Sequence, residues 1–179
     1  MKQHLTLVSI KKVQKAFLKN FDCGVAALNE FLSRYAAKND ALGIGKTFVA
    51  LNYDKNIVGY FTLATAQIAF EKVPEDSKKK LPRYPIPALR IARLAVSQSV
   101  QGNGVGKWLL SQAFIKTVQV SDVAGLYFVI VNAKETSKSF YERYGFKKIP
   151  GAGLTYLLAI ETIKAAIQSA SINPNGVSA

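Results

Sequence analysis

The sequence predicts a mixed α/β (α+β) domain. Three observations carry that prediction. Strand-like and helix-like segments succeed one another in the order β, α, β, β, β, α, β, α, β, β. Leu126–Val131 is continuously apolar between Gly125 and Asn132, as a central strand covered on both faces should be. No repeat of about 20–50 residues breaks the chain, and 179 residues suit one domain with a small extension.

His4–Ile10 alternates apolar and polar residues and reads as a strand. Lys11–Lys19 is basic and reads as a loop or a short helix. Phe21-Asp22-Cys23-Gly24 reads as a helix start, with Asp22 as its cap and Phe21 as a staple residue. Ala27, Leu28, Phe31, Leu32, Tyr35 and Ala36 then recur at helical spacing, and the helix ends near Asn39–Gly43. Thr47–Asn52 and Ile57–Ile68 form a hairpin turning at Tyr53-Asp54-Lys55-Asn56. Glu71–Pro87 is polar, basic and proline-rich, so it reads as a surface loop with Lys78, Lys79, Lys80 and Arg83 in solvent. Ala88–Val96 is the next strand, and a helix runs from about Gly104 to Val120. After the strand Leu126–Val131, Glu135–Tyr144 is a short helix closed by Gly145. Phe146–Ile149 and Leu154–Ile160 are strands, Glu161–Ser169 is helical, and Ser171–Ala179 is a frayed tail. The expected division is a domain over residues 1–160 with residues 161–179 as a helical extension.

Composition narrows the function. Hydrophobic residues make up 49%, enough for a core. No apolar run reaches the roughly 18–20 residues of a membrane helix, and the N-terminus lacks a signal-peptide stretch. A soluble, cytoplasmic protein with no membrane partner is expected. One cysteine, Cys23, and one histidine, His4, exclude disulfides and make metal sites and Ser-His-Asp chemistry poor candidates, so no metal is expected. Catalysis must use backbone dipoles, Tyr, Ser or carboxylates. The 24 Lys and Arg against 11 Asp and Glu leave a net charge of +13. That excess fits either a generic basic surface or a polyanionic partner such as RNA.

The loop Gln101-Gly102-Asn103-Gly104-Val105-Gly106, with Lys107 after it, joins a strand to a helix. Free N–H groups at a helix start and the helix dipole favour an anion there, and glycines admit it closely. A pyrophosphate is the natural occupant; a tight strand-to-helix turn is the other use of such glycines. The dinucleotide fingerprint fails because Lys107 stands where its third glycine should be. Gly45-Lys46-Thr47 ends like a Walker loop, but Asp40 replaces the first glycine and the strand comes after rather than before it.

The pattern that does fit is [QR]-x-x-G-x-[GA] after a strand ending Arg-Leu-Ala-Val. It resembles the pyrophosphate motif of the GCN5-related N-acetyltransferase (GNAT) family. Ser139-Phe140-Tyr141-Glu142-Arg143-Tyr144-Gly145-Phe146 is similar to that family's second signature, one helix and one strand later. The resemblance implies a central mixed, mostly antiparallel sheet with splayed central parallel strands and helices on both faces. It implies acetyl-CoA as co-substrate on Gln101–Lys107, its pantetheine arm held by the main chain of Leu94 and Val96 and supported by Asn132 and Ser139. It implies that a backbone N–H near Ala95 or Val96 holds the oxyanion of the tetrahedral intermediate. Tyr141 would then be the acid that protonates the departing thiolate. No general base is evident. Glu135 and Glu142 are the only acids near this motif and read as solvated helix charges. A site without a base suits an α-amino group, with a pKa of about 7.7–8.0, better than a lysine at about 10.4.

A narrower likeness joins Phe21–Gly24 with Leu28-Asn29, Thr47–Ala50, Val58–Leu63, Leu81–Pro87 and Ala92–Val96. Together these segments resemble the acetyltransferase toxins of type II toxin–antitoxin systems, from about Ser9 to Ala159. That resemblance implies acetylation of the α-amino group of aminoacyl-tRNA, a block of translation, a homodimer and a ribbon-helix-helix antitoxin as partner. The excess charge would serve tRNA phosphates, with Arg83, Arg90, Arg93 and Lys134 as candidate contacts. Arg93 is favoured, because an arginine on a buried strand needs a specific partner. The rival readings are an acetyltransferase for a small-molecule amine or protein N-terminus, and a non-catalytic binding module. Tyr141 weighs against the last.

Overall fold

The computed structural model describes residues 4–172. Its strands are β1 (Thr6–Ser9), β2 (Lys46–Leu51), β3 (Ile57–Ile68), β4 (Ile86–Val96), β5 (Phe128–Asn132), β6 (Lys147–Lys148) and β7 (Thr155–Ala159). The helices are α1 (Lys15–Leu18), α2 (Ala26–Glu30), α3 (Ala36–Ala41), α4 (Glu75–Lys78), α5 (Val105–Ser121), α6 (Lys138–Arg143) and α7 (Ile160–Ile172). The seven strands hydrogen-bond in the order β1-β2-β3-β4-β5-β7-β6, mostly antiparallel with one parallel pair, as the sequence led us to expect. The chain divides into two compact units. One comprises the residues up to Thr65 with Ile91–Ala113; the other comprises Ala66–Arg90 with Phe114 onward.

In the first unit, β1 pairs with β2 from Thr6↔Leu51 to Ser9↔Phe48, and β2 pairs with β3 from Lys46↔Leu63. The expected hairpin is present. Its turn is closed by Asn52 N–H to the Asn56 carbonyl at 3.0 Å and Asn56 N–H to Asn52 Oδ1 at 2.8 Å. Ile10 leaves the expected first strand for a 3₁₀ turn. The free amides at the start of that turn are met in part by Ser9 Oγ, which accepts from Lys11 N at 3.4 Å. The short-helix alternative for Lys11–Lys19 is realised as α1.

The first long helix differs from its periodicity. A π turn, Phe31–Tyr35, lies between α2 and α3. Its extra residue rotates the helix beyond it. Leu32 is therefore succeeded on the buried side by Ala36 and Asp40, while Tyr35 is 49% exposed. Phe31, Leu32 and Ala36 pack with Phe21, Val49, Tyr60 and Ala95 in one core cluster. On the opposite side of β3, a Cβ placed on Gly59 would lie 2.7 Å from Leu109 Cδ1, so α5 packs directly there. Helices thus cover both faces of the strands in this unit. Asp40 is 2% exposed and joins the end of α3 to β2: it accepts from Thr47 N at 3.1 Å and pairs with Lys46 at 3.3 Å and Lys11 at 3.4 Å.

Asp22 is not a helix cap. The helix opens at Val25, which makes no side-chain cap bond. Asp22 Oδ1 instead accepts from Gly24 N at 2.8 Å and Asn29 Nδ2 at 2.7 Å, while Asn29 Oδ1 accepts from Cys23 N at 2.9 Å. Two side chains thus clasp each other's backbone segments, and Phe21 goes into the core edge-on to Tyr60 at 5.5 Å.

In the second unit, β5 and β7 pair antiparallel from Phe128↔Ala159 to Asn132↔Thr155, and the two-residue β6 pairs with β7. Phe128, Ile130 and Leu157 bury with Ile68, Val73, Ile86, Ala88 and Ile149. The connection expected as a plain loop holds a 3₁₀ turn, Phe70–Lys72, and α4. Glu75 and Asp76 occupy the first turn of α4, where the helix dipole favours carboxylates. Lys78, expected in solvent, pairs with Glu75 at 2.6 Å and lies 5.9 Å from the centre of the Phe70 ring. β5 begins at Phe128, later than the apolar run suggested, and Tyr127 N–H donates to the Pro87 carbonyl at 3.0 Å. Ile160, read as the end of a strand, begins α7, which buries Ile160 and Ile163. The expected tail beyond Ile172 lies outside the described residues.

Candidate active site

The glycine loop stands in the first unit at the end of β4. Ile91 and Ala95 are buried there, while Leu94 and Val96 are half-buried. Ser97 N–H donates to the Val58 carbonyl at 2.9 Å, and a 3₁₀ turn, Gln98–Val100, leads into the loop. Gly102 and Gly104 adopt φ of 81° and 82°, a backbone conformation costly to residues with a Cβ. A Cβ on either would meet nothing within 4 Å, so the loop's outer side is open. The Asn103 N–H is spent on the Val100 carbonyl at 3.3 Å, and Trp108 N–H, on the Gly104 carbonyl at 3.0 Å, starts the ladder of α5. The N–H groups of Val105, Gly106 and Lys107 precede that ladder and have no acceptor within the helix. They stand at the positive end of a helix of 17 residues. An open, positively polarised turn of free N–H groups fits a pyrophosphate.

Gln101 plays a different part from its neighbours. Its side-chain amide donates inward, to the carbonyls of Val96 at 3.0 Å and Cys23 at 3.2 Å. The side chain braces the loop against β4 and against the segment before α2. Gln98 adds to the brace, its N–H donating to the Asp22 carbonyl at 2.9 Å. The Asp22 carboxyl is held below its ordinary value, first by the Gly24 N–H and then by the Asn29 amide.

Arg93 has the specific partner that its place on β4 demanded, but the partner is an aromatic ring. Its guanidinium carbon lies 3.6 Å from the centre of the Phe31 ring, a cation–π contact. Phe31 stacks in turn on Tyr60 at 6.3 Å, and the Tyr60 hydroxyl donates to the Leu28 carbonyl at 2.8 Å. Burial pushes the Tyr60 phenol well above its ordinary value. No carboxylate pairs with Arg93 among the described residues.

The second unit carries Tyr141 on α6. The helix ends in a Schellman turn: Phe146 N–H donates to the Tyr141 carbonyl at 3.2 Å and Gly145 N–H to the Glu142 carbonyl at 3.0 Å. Tyr141 is 8% exposed, edge-on to Phe140 at 5.2 Å and to Phe146 at 5.5 Å. Burial pushes its phenol up to about 12. The hydroxyl makes no hydrogen bond to the protein, and no buried side-chain polar atom lacks a partner, among the described residues. The hydroxyl therefore reaches the surface while the ring is enclosed. Glu135 pairs with Lys138 at 2.7 Å, and Glu142 Oε1 accepts from the Tyr156 hydroxyl at 2.8 Å. Both are exposed, as expected of solvated charges, and each has a partner.

The remaining candidates are exposed. Asn132 stands at the end of β5, Lys134 just after it, and Ser139 on α6; Arg90 lies on β4. Arg83 lines a cleft of about 550 Å³ with Phe70, Glu75, Lys79 and Leu81. No group of three or more His, Cys, Asp or Glu comes together among the described residues. The first unit thus gathers Leu94–Val96, Gln101–Lys107 and Arg93; the second holds Tyr141, Asn132, Ser139, Lys134, Arg83 and Arg90. Sequence reasoning missed the partners: Cys23 for Gln101, Phe31 for Arg93 and Tyr156 for Glu142. The first of these pairs spans 78 residues of chain, beyond the reach of any local signal.

The family described as Acetyltransferase (GNAT) domain matches residues 16–154. A "tRNA-acetylating toxin" of Mycobacterium tuberculosis is 30% identical over 149 residues, covering 83% of this chain and 89% of that protein. The crystal structure of a tyrosine-to-phenylalanine mutant of KacT superposes with a TM-score of 0.84 at 28% identity, over 92% of this chain and 99% of that one. AtaT complexed with acetyl-methionyl-tRNAfMet superposes with a TM-score of 0.84 at 26% identity, again over 92% and 99%.

Proposed function

The chain belongs to the acetyltransferase (GNAT) family, and from that premise we propose that it is a toxin which transfers the acetyl group of acetyl-CoA to the α-amino group of aminoacyl-tRNA and so blocks translation. The observation that carries this reading is its likeness, over 83% of its length, to a tRNA-acetylating toxin. The AtaT complex with acetyl-methionyl-tRNAfMet and the net charge of +13 support it. Its place of action would be the cytoplasm, and no described helix is long and apolar enough to cross a membrane.

Acetyl-CoA supplies the acetyl group as a thioester. The N–H groups of Gly104–Lys107 take the pyrophosphate, with Gln101 holding the loop in shape. The backbone of Leu94, Ala95 and Val96 takes the pantetheine arm, an N–H near Ala95 or Val96 meets the oxyanion, and Asn132 and Ser139 complete the seat. Attack by a neutral amine needs a proton for the departing sulfur. Tyr141 provides it, its phenol pushed up to about 12 by burial and so protonated in the working range; the ammonium formed on the attacking nitrogen gives up its proton to water, from which Tyr141 is reprotonated. Glu135 and Glu142 are both engaged elsewhere, which suits an α-amine, already partly neutral near pH 8. Arg93, Arg83, Arg90 and Lys134 contact tRNA. The catalytic domain spans residues 1–160 with 161–179 as an extension; the protein is a homodimer neutralised by a ribbon-helix-helix antitoxin.

The test is incubation with labelled acetyl-CoA and a set of charged tRNAs. Label on the aminoacyl-tRNA is expected. Label on a polyamine or peptide and none on any aminoacyl-tRNA would remove the toxin reading. Tyr141→Phe should bind acetyl-CoA normally and permit growth when expressed without antitoxin; continued growth arrest would remove Tyr141 as the acid.

A further inference from the structure

We infer that Glu142, bonded to Tyr156, is a positioning residue for Tyr141. This rests on the reading of Tyr141 as the acid. The difficulty it resolves is mechanical. α6 has six residues, too few to be stable alone, and its cap residue Ser137 makes no side-chain cap bond. Ser137 Oγ is turned back onto the preceding loop, accepting from Lys134 N at 3.0 Å. Yet a catalytic hydroxyl has to be fixed to about 0.5 Å and 10–20°.

Three contacts fix this helix. The Schellman turn sets where it ends. The rings of Phe140, Tyr141, Tyr144 and Phe146 fill its buried side, but ring contacts at 5.1–5.5 Å tolerate small rotations. The third contact is directional. Tyr156 is 1% exposed on β7, opposite Val131 of β5. Its hydroxyl donates to Glu142 Oε1 at 2.8 Å, the one side-chain hydrogen bond from α6 to the sheet among the described residues. The bond to Glu142 raises the Tyr156 phenol above its ordinary value, so Tyr156 keeps its proton and remains the donor. Lys138, one turn earlier, adds its charge to Glu142 as well as to Glu135. Glu142 comes directly after Tyr141 in the chain, so pinning its carboxylate sets the rotation of α6, and with it the reach of the Tyr141 hydroxyl.

The experiment is steady-state acetylation of aminoacyl-tRNA by Glu142→Ala, Glu142→Gln, Tyr156→Phe and the double variant Glu142→Ala/Tyr156→Phe, with Tyr141→Phe alongside and thermal melts of each. Displacement of a catalytic group by 1 Å costs up to about 100-fold. Glu142→Ala and Tyr156→Phe should each lower kcat by roughly 10-fold with KM for acetyl-CoA unchanged, and the double variant should fall no further than either. Glu142→Gln, whose amide oxygen still accepts from Tyr156, should stay within roughly three-fold of the parent. The inference is overturned if Tyr156→Phe, which only deletes an oxygen, folds normally and keeps its full kcat. It is equally overturned if Glu142→Gln is as slow as Glu142→Ala, because charge and not placement would then matter. Full activity of Tyr141→Phe would instead remove the acid on which the inference rests, and no label on tRNA with the parent protein would remove the proposed function.

Discussion

Replacing Gly104 with alanine separates a ligand-binding loop from a mere turn. At φ of 82° a side chain costs about 1–2 kcal/mol. Nothing stands within 4 Å of the added Cβ, so no clash adds to that cost. For a chain of this size, about 1–2 kcal/mol lowers Tm by roughly 2–8 °C. The effect on acetyl-CoA should be larger than this strain implies. The new methyl projects into the open space beside the free N–H groups, where a phosphate would sit. A lost charge-assisted hydrogen bond is worth about 1.5–3 kcal/mol, or roughly 10- to 100-fold in Kd. Gly43 and Gly151 provide the control: they adopt φ of 74° and 70°, and a Cβ on either also meets nothing within 4 Å. Gly43→Ala and Gly151→Ala should show the same loss of Tm with Kd for acetyl-CoA within about two-fold of the parent. Calorimetric titration and thermal melts of all three variants decide the matter. If Gly104→Ala loses stability like the controls but binds acetyl-CoA as tightly as the parent, the loop is only a turn and the phosphate reading is refuted.

Two further outcomes test other parts of the molecule. Arg93→Lys keeps the charge but loses the planar fork stacked on Phe31; KM for aminoacyl-tRNA should rise roughly 10-fold and that for acetyl-CoA should not, as measured by initial rates. Stability should fall between pH 10 and 12, because Tyr141 holds its proton more tightly when folded than at its ordinary value of 10.0. In that window the unfolded chain binds fewer protons, so a shift to about 12 removes about 2–3 kcal/mol. Urea midpoints between about pH 8 and pH 11 should fall further for the parent than for Tyr141→Phe, and equal falls would contradict the burial of this phenol.

What the chain declares locally and what it hides divide along physical lines. The run Phe128–Val131 is apolar at every position because both of its faces are covered, and that pattern identifies a central strand without any partner in view. Gly102 and Gly104 announce a positive-φ turn for a similar reason. Asp22 misled because an aspartate two residues before a glycine satisfies its own turn as readily as a helix start, and here it does so with Asn29. Tyr35 misled because a period of about 3.6 residues cannot register an inserted residue; the π turn moves it from core to surface. Glu142 is exposed, as a solvated charge should be, but nothing nearby in sequence names its partner Tyr156, which arrives through the pairing of β7. Periodicity reports faces, whereas a side-chain partner depends on topology.

The brace made by Gln101 has a thermodynamic consequence. One amide group joins the carbonyl of Val96 to that of Cys23, and Cys23 and Gly24 are in turn fixed by Asn29 and Asp22. Any ligand that quiets the loop therefore lowers the frequency with which the start of α2 opens, since opening there requires Gln101 to let go. Slowed amide exchange at Cys23 and Gly24, far along the chain from the phosphates, becomes a reporter of occupancy. The same linkage means that acetyl-CoA would complete part of the ordering of the α2 segment before any acceptor arrives.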